Sequence, residues 1–228
     1  GAGLGALTCL IAPRVRRVLA IEIDRAICEL LKGRVAHLPN VEVRCEDILR
    51  FPWAHYADCT VVGTIPYHIT SPILVRLCEA WPSVQVAWMG MQREVAARLT
   101  ARPSTKAYGR LTLLVQYRFV VSEILRVPQV AFFPRPHVDS AWVRLTSRPA
   151  APVTLKDEQL FFNVIRAAFG TRRKMLANCL TGLSRPPLSR AAAAHAIRAA
   201  GLPDGIRGEA LSMEAFARLA NILGGSLT

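Results

Sequence analysis

Residues 18–47, VLAIEIDRAICELLKGRVAHLPNVEVRCED, carry the reading on which the fold turns. Val18–Ile23 is a short apolar run of strand type. Asp24 follows as an N-cap, its carboxylate placed to accept from the first turn of a helix over Arg25–Lys32. Pro39-Asn40 signals a turn, and Val41–Arg44 reads as a second strand. Strand, helix and strand in that order form the repeating unit of a parallel sheet.

Outward from this unit the alternation continues. Thr60–Val62 is a third strand. Thr70 or Ser71 caps a helix through Ala80, with Pro72 in its first turn. Val84–Met89 is a fourth strand and Gln92–Leu99 a helix. The pattern predicts an α/β fold with a doubly wound sheet. Phe119–Val127 and Ala141–Thr146 are two further β-type runs around a Pro-rich connection, and they predict an antiparallel closing pair. Past Arg148-Pro149-Ala150-Ala151-Pro152 the β signal stops, and 157–168, 172–180, 189–199 and 212–222 read as helices. The chain therefore divides into residues 1–149 and a small helical domain over 150–228.

Composition excludes several classes. The chain has 228 residues, of which 52% are hydrophobic and 20% charged, which rules out a disordered protein. No apolar run reaches the roughly 18 residues of a membrane helix. No charged-then-apolar leader opens the sequence, which predicts a cytoplasmic protein. The net charge of +13 suits a polyanionic partner such as nucleic acid. It is spread along the chain, and the most compact cluster is Arg172-Arg173-Lys174. The six cysteines form no CxxC pair and have no histidine at ligand spacing, so no metal site is predicted. They read as small buried hydrophobes in a reducing compartment.

Gly1, Gly3 and Gly5 open the chain. Glycines at this spacing let the backbone pass close to a ligand and lead into a helix N-terminus. Glu22, about 20 residues on at the end of a strand, can accept hydrogen bonds from both hydroxyls of a ribose. Asp47, after the second strand, can accept from an adenine amino group. Thr64-Ile65-Pro66-Tyr67 follows the third strand, and in such sheets ligands bind at the carboxyl ends of strands.

Thr64–Tyr67 resembles the Asn-Leu/Ile-Pro-Tyr motif of methyltransferases acting on adenine N6. Other segments agree, and together they resemble the KsgA/Dim-type ribosomal RNA adenine dimethyltransferases. Lys106–Thr112 is similar to that family's KAYGRLT segment, Phe132–Ala141 to its FxPxPxVDSA segment, Ala168–Leu176 to its AFxxRRKxL motif, and Arg207–Ser212 to its RxExLS element. The resemblance covers nearly the whole chain. It implies a Rossmann-like class I methyltransferase sheet carrying a small C-terminal helical domain. It also implies S-adenosyl-L-methionine as cofactor, and N6,N6-dimethylation of two adjacent adenines near the 3′ end of small-subunit rRNA. The implied partner is the immature small subunit, and the implied state is a monomer.

The resemblance assigns roles by position. Thr64 and the Ile65 carbonyl accept from the target amine, and Thr64 also touches the cofactor. Pro66 fixes the direction of that carbonyl. Tyr67 and Phe132 are aromatic walls for the extruded base, with Phe133 the neighbouring alternative to Phe132. Arg166, Arg172, Arg173 and Lys174, with Arg185 beyond them, face rRNA phosphates. The transfer needs positioning and electrostatics, with no metal and no covalent nucleophile.

Two departures carry expectations. The family has Asn at the position of Thr64, whose shorter hydroxyl predicts a slower reaction. The chain also begins inside the glycine loop. The sheet's first strand is therefore expected to be missing, and with it part of the cofactor's grip and some stability. Three further readings compete. They are a large-subunit rRNA dimethylase of the antibiotic-resistance type, a subunit-binding assembly factor that does not methylate, and a mitochondrial transcription factor derived from the family.

Overall fold

The computed structural model describes residues 1–132, 135–184 and 187–225. In chain order the elements are α1 (Ala6–Ile11), β1 (Val18–Glu22), α2 (Arg25–Val35), β2 (Val41–Cys45), β3 (Cys59–Thr64), α3 (Thr70–Glu79), β4 (Val84–Gln92) and α4 (Arg93–Leu99). They continue with α5 (Arg110–Arg118), β5 (Phe119–Val127), β6 (Ser140–Ser147), α6 (Glu158–Gly170), α7 (Leu176–Leu180), α8 (Arg190–Ala199) and α9 (Met213–Gly225). The chain folds into two compact units. One comprises Gly1–Ala96 and Ser122–Ser147, the other Ala97–Val121 and Arg148–Thr228.

In the first unit β1 and β2 pair in parallel, from Val18 opposite Val41 to Glu22 opposite Cys45. Asp24 caps α2 as expected, its carboxylate accepting from Ile27 N at 3.1 Å. Leu31 and Val35 of α2 bury against Ala20 of β1, which fixes the helix on the strand pair. The other strands form a second sheet in the order β3-β4-β6-β5. β3 runs parallel to β4. β6 runs antiparallel to β4, from Val86 opposite Thr146 to Gln92 opposite Ser140. Val84, Ala87, Met89 and Met91 are fully buried, as an interior strand covered on both faces requires.

The second unit has its own core. Tyr108, Leu113 and Tyr117 pack with Phe161, Leu176, Phe216 and Leu219. Tyr117 lies 5.5 Å from Phe161 and 5.3 Å from Phe162 between ring centroids. The Tyr108 hydroxyl donates to the Leu211 carbonyl at 2.8 Å, and burial pushes its ionisation up.

Several sequence expectations shift. Residues 97–121 pack with the helical segment, whereas the division at 149/150 put them in the first domain. Helix α5 was not foreseen, because Leu111, Leu113, Leu114 and Val115 run straight into the β-type stretch from Phe119 and the period is ambiguous. Neither Thr70 nor Ser71 caps α3. The N-cap is Ile69, and the Thr70 hydroxyl donates back to the Pro66 carbonyl at 3.4 Å. Helix α7 starts at Leu176 rather than 172, because Met175 is extended and Lys174 N bonds Thr171 O in a turn. Cys28, Cys78 and Cys179 are buried, but Cys45 is exposed at a strand end. Among the described residues no helix is long and apolar enough to cross a membrane.

Candidate active site

The glycine loop closes onto the end of β1. Gly3 and Gly5 have φ of 56° and 83°, the left-handed region that favours glycine. A Cβ on Gly5 would also fall 2.4 Å from Leu31 Cδ1, inside the core. A Cβ on Gly3 would meet nothing within 4 Å, so open space lies beside the loop there.

Glu22 stands at the centre of this corner and is only 7% exposed. Its Oε2 accepts from Gly3 N at 2.8 Å. Its Oε1 accepts from Ile23 N at 2.9 Å and Asp24 N at 3.2 Å. Burial pushes this carboxyl up, but the backbone N–H groups of Gly3, Asp24 and Ile23 outweigh it and hold the group below the ordinary carboxylate range. Glu22 therefore ties down the loop through backbone donors, a role its sequence position did not signal. Gly1 adjoins the same carboxylate, since a Cβ there would lie 3.0 Å from Oε2. Asp47 lies beyond β2, where its Oδ1 accepts from Leu49 N at 2.9 Å and closes a turn.

Thr64 ends β3 opposite Gly90 of β4. Trp142 and the Thr64 methyl crowd Gly90, at 3.2 and 3.0 Å from where its Cβ would stand. Ile65 N donates to Gly90 O at 3.0 Å, which fixes the Thr64–Ile65 peptide. Tyr67 then begins a short turn over Tyr67–Ile69, with Ile69 N bonded to Pro66 O at 3.1 Å. Tyr67 Oη lies 2.9 Å from Ser140 Oγ, at the start of β6. Phe132 is half-buried at the end of the turn over Gln129–Ala131. Phe133 lies outside the described residues.

The basic residues belong to the second unit. Arg166 is exposed on α6, and Arg173 and Lys174 are exposed in the turn before α7. Arg172 is bound within the fold, where it donates to Lys106 O at 3.2 Å and pairs with Glu209 at 3.1 Å. Three of the motifs noted in the sequence, around Lys106, Arg172 and Glu209, thus meet at one guanidinium. Lys174 also lines an open cavity of about 350 Å³ with Thr171, Asn178 and Thr181. Arg185 lies outside the described residues.

A glycine loop bound to an acidic residue at the end of β1, with a polar-Pro-aromatic segment leaving β3, is the layout of a class I methyltransferase. Solved structures agree on the fold. A dimethyladenosine transferase from Plasmodium falciparum superposes with a TM-score of 0.81 at 24% identity, covering 96% of this chain and 86% of that one. The 23S rRNA methyltransferase ErmE superposes with a TM-score of 0.71 at 29% identity, covering 98% and 88%.

The family model for ribosomal RNA adenine dimethylase matches residues 1–223, and the chain belongs to that enzyme family. Among curated relatives, ribosomal RNA small subunit methyltransferase A of Geobacillus thermodenitrificans is 38% identical over 98% of this chain and 79% of its own length. The protein of that name from Streptococcus pneumoniae is 40% identical over 99% and 81%.

Proposed function

We propose that this protein transfers methyl groups from S-adenosyl-L-methionine to N6 of two adjacent adenines near the 3′ end of small-subunit rRNA, during subunit maturation in the cytoplasm. The observation that carries this reading is the Thr64–Tyr67 segment at the carboxyl end of β3, in a chain that matches the family over residues 1–223. Relatives named for the small subunit are 38–40% identical, against 29% for the 23S methyltransferase, which favours the small-subunit substrate.

The residues present suit the cofactor. The open side of Gly3 admits a ligand, and the Glu22 carboxylate beside it stays ionised to meet ribose hydroxyls. Asp47 is the candidate acceptor for the cofactor's adenine amino group. When bound, S-adenosyl-L-methionine supplies an electrophilic methyl group on its sulfonium.

Adenine N6 is a weak nucleophile because its lone pair is delocalised into the ring. The Ile65 carbonyl and the Thr64 hydroxyl accept from the amine protons and localise that pair toward the methyl group. Pro66 restricts that carbonyl's own peptide, and the bond from Ile65 N to Gly90 O anchors the peptide just before it. Tyr67 and Phe132 stack on the extruded base. Arg166, Arg173 and Lys174 hold rRNA phosphates in a separate helical domain, and Arg172 braces the turn that carries the last two.

The test is methyl transfer from labelled S-adenosyl-L-methionine to small subunits that lack the modification, followed by mapping of the label. Label on paired adenines near the rRNA 3′ end is expected. Label elsewhere, or subunit binding with no label, overturns the proposal.

A further inference from the structure

Tyr67 is held by a group to which the roles set out above give no part. Its Oη lies 2.9 Å from Ser140 Oγ, although the two residues are 73 apart in sequence. Ser140 is 4% exposed, so water competes little for the bond. Its own position is tightly set. It opens β6 opposite Gln92, the last residue of β4. The preceding Asp139 is pinned twice: its carbonyl accepts from Arg93 N at 2.9 Å, and its Oδ1 accepts from Gln129 N at 3.1 Å. Gln129 begins the turn that ends with Phe132 N bonded to Gln129 O at 3.3 Å. One dipeptide therefore reaches both aromatic residues assigned to the base.

We infer that Ser140 is a positioning residue for methyl transfer: its hydroxyl fixes the Tyr67 ring, and the adjoining Asp139 fixes the turn carrying Phe132, so that the target adenine meets a preset aromatic pocket. The inference rests on the reading of Tyr67 as the stacking wall. A tyrosine ring pivots on two side-chain torsions. Here the backbone end is held by the Pro66 turn and the phenol end by Ser140. Stacking on the ring face needs no hydroxyl, so Tyr67→Phe keeps the wall and removes only its anchor.

The experiment compares Ser140→Ala, Tyr67→Phe, the double variant and Tyr67→Ala in methyl transfer to unmodified small subunits, with melting temperatures measured alongside. Ser140→Ala and Tyr67→Phe should each lower kcat roughly tenfold, because misplacement of a reacting base acts on the chemical step. KM for S-adenosyl-L-methionine should not move. The double variant should fall no further than either single one, since both remove the same bond.

Losses that multiply in the double variant would mean that Ser140 acts by packing, and would overturn the inference. Full activity in Ser140→Ala and Tyr67→Phe, with Tyr67→Ala inactive, overturns it while leaving the stacking role intact. Full activity in Tyr67→Ala overturns the stacking role itself, and the inference with it. Should Ser140→Ala fail to fold, Tyr67→Phe decides alone: a tenfold loss supports the inference and an unchanged kcat overturns it.

Discussion

Glu22→Gln should destabilise the first unit even with no cofactor present. The wild-type carboxylate accepts three backbone N–H groups, at 2.8, 2.9 and 3.2 Å, while only 7% exposed. Glutamine keeps one carbonyl oxygen. Its better orientation leaves that oxygen on Ile23 and Asp24 and turns the amide NH₂ toward Gly3 N–H. One charge-assisted bond is lost and a partly buried donor faces another donor, a loss of about 2–4 kcal/mol. For a chain of this size that lowers the melting temperature by about 4–16 °C.

Fluorescence reads the right part of the molecule, because all four tryptophans, Trp53, Trp81, Trp88 and Trp142, lie in the first unit. Urea unfolding followed by tryptophan emission at neutral pH then gives the difference directly. Its pH dependence has a definite sign. Glu22 ionises below its ordinary value of 4.5, so its contribution is complete above that value and is lost as pH falls through the lower folded value. The gap between wild type and Glu22→Gln should therefore narrow in acid. A gap under about 0.5 kcal/mol, well below the worth of a hydrogen bond to a charged group, would refute the reasoning. A gap that persists unchanged in acid would do the same.

Other outcomes follow from the same geometry. Gly5→Ala should cost about 2–4 kcal/mol by tryptophan-detected unfolding, from left-handed strain and the contact with Leu31, whereas Gly3→Ala, in open space, should cost only about 1–2. Thr64→Asn should raise kcat for methyl transfer by up to about 10²-fold, since the amide supplies the longer acceptor that the family places there. Arg173→Ala with Lys174→Ala should weaken subunit binding in filter assays and flatten its salt dependence by about 0.7–0.9 per lost phosphate contact. Arg172→Ala should in addition lower the melting of the helical unit, because that guanidinium holds Lys106 and Glu209. Iodoacetamide should label exposed Cys45 well before Cys28, whose thiol is fully buried and pushed up to about 11 by burial and by the neighbouring Cys45 thiol.

Much of the fold was legible because local signals agreed with one another. The strand, cap, helix and strand of residues 18–45 fall within a few residues of their expected ends, since an apolar run, an N-cap and a Pro-Asn turn mark them independently. The candidate site was legible as positions, because loops at strand ends carry it. Its internal bonds were not. Nothing near Glu22 in sequence says that Gly3 will donate to it, and Ser140 and Tyr67 are 73 residues apart. Residues 97–121 were misassigned for a related reason. Their partners are side chains such as Phe161 and Phe216, and an apolar segment does not advertise which core it will join.

That segment sets a timetable for the chain as it is made. The polypeptide leaves the first unit after Ala96, returns to it at Ser122 and leaves again after Ser147. Tyr108 must wait for Leu211, 103 residues later, before its hydroxyl finds its acceptor. At synthesis rates of about 5–20 residues per second, the interval is roughly 5–20 s. Until then Tyr108, Leu113 and Tyr117 lack Phe216 and Leu219, and before Phe161 and Leu176 are made they lack those partners as well. The nascent protein therefore has a built-in period of stickiness between the synthesis of Tyr108 and that of Leu211. Slowed translation between residues 121 and 211 would lengthen it, and faster translation of that stretch would shorten it.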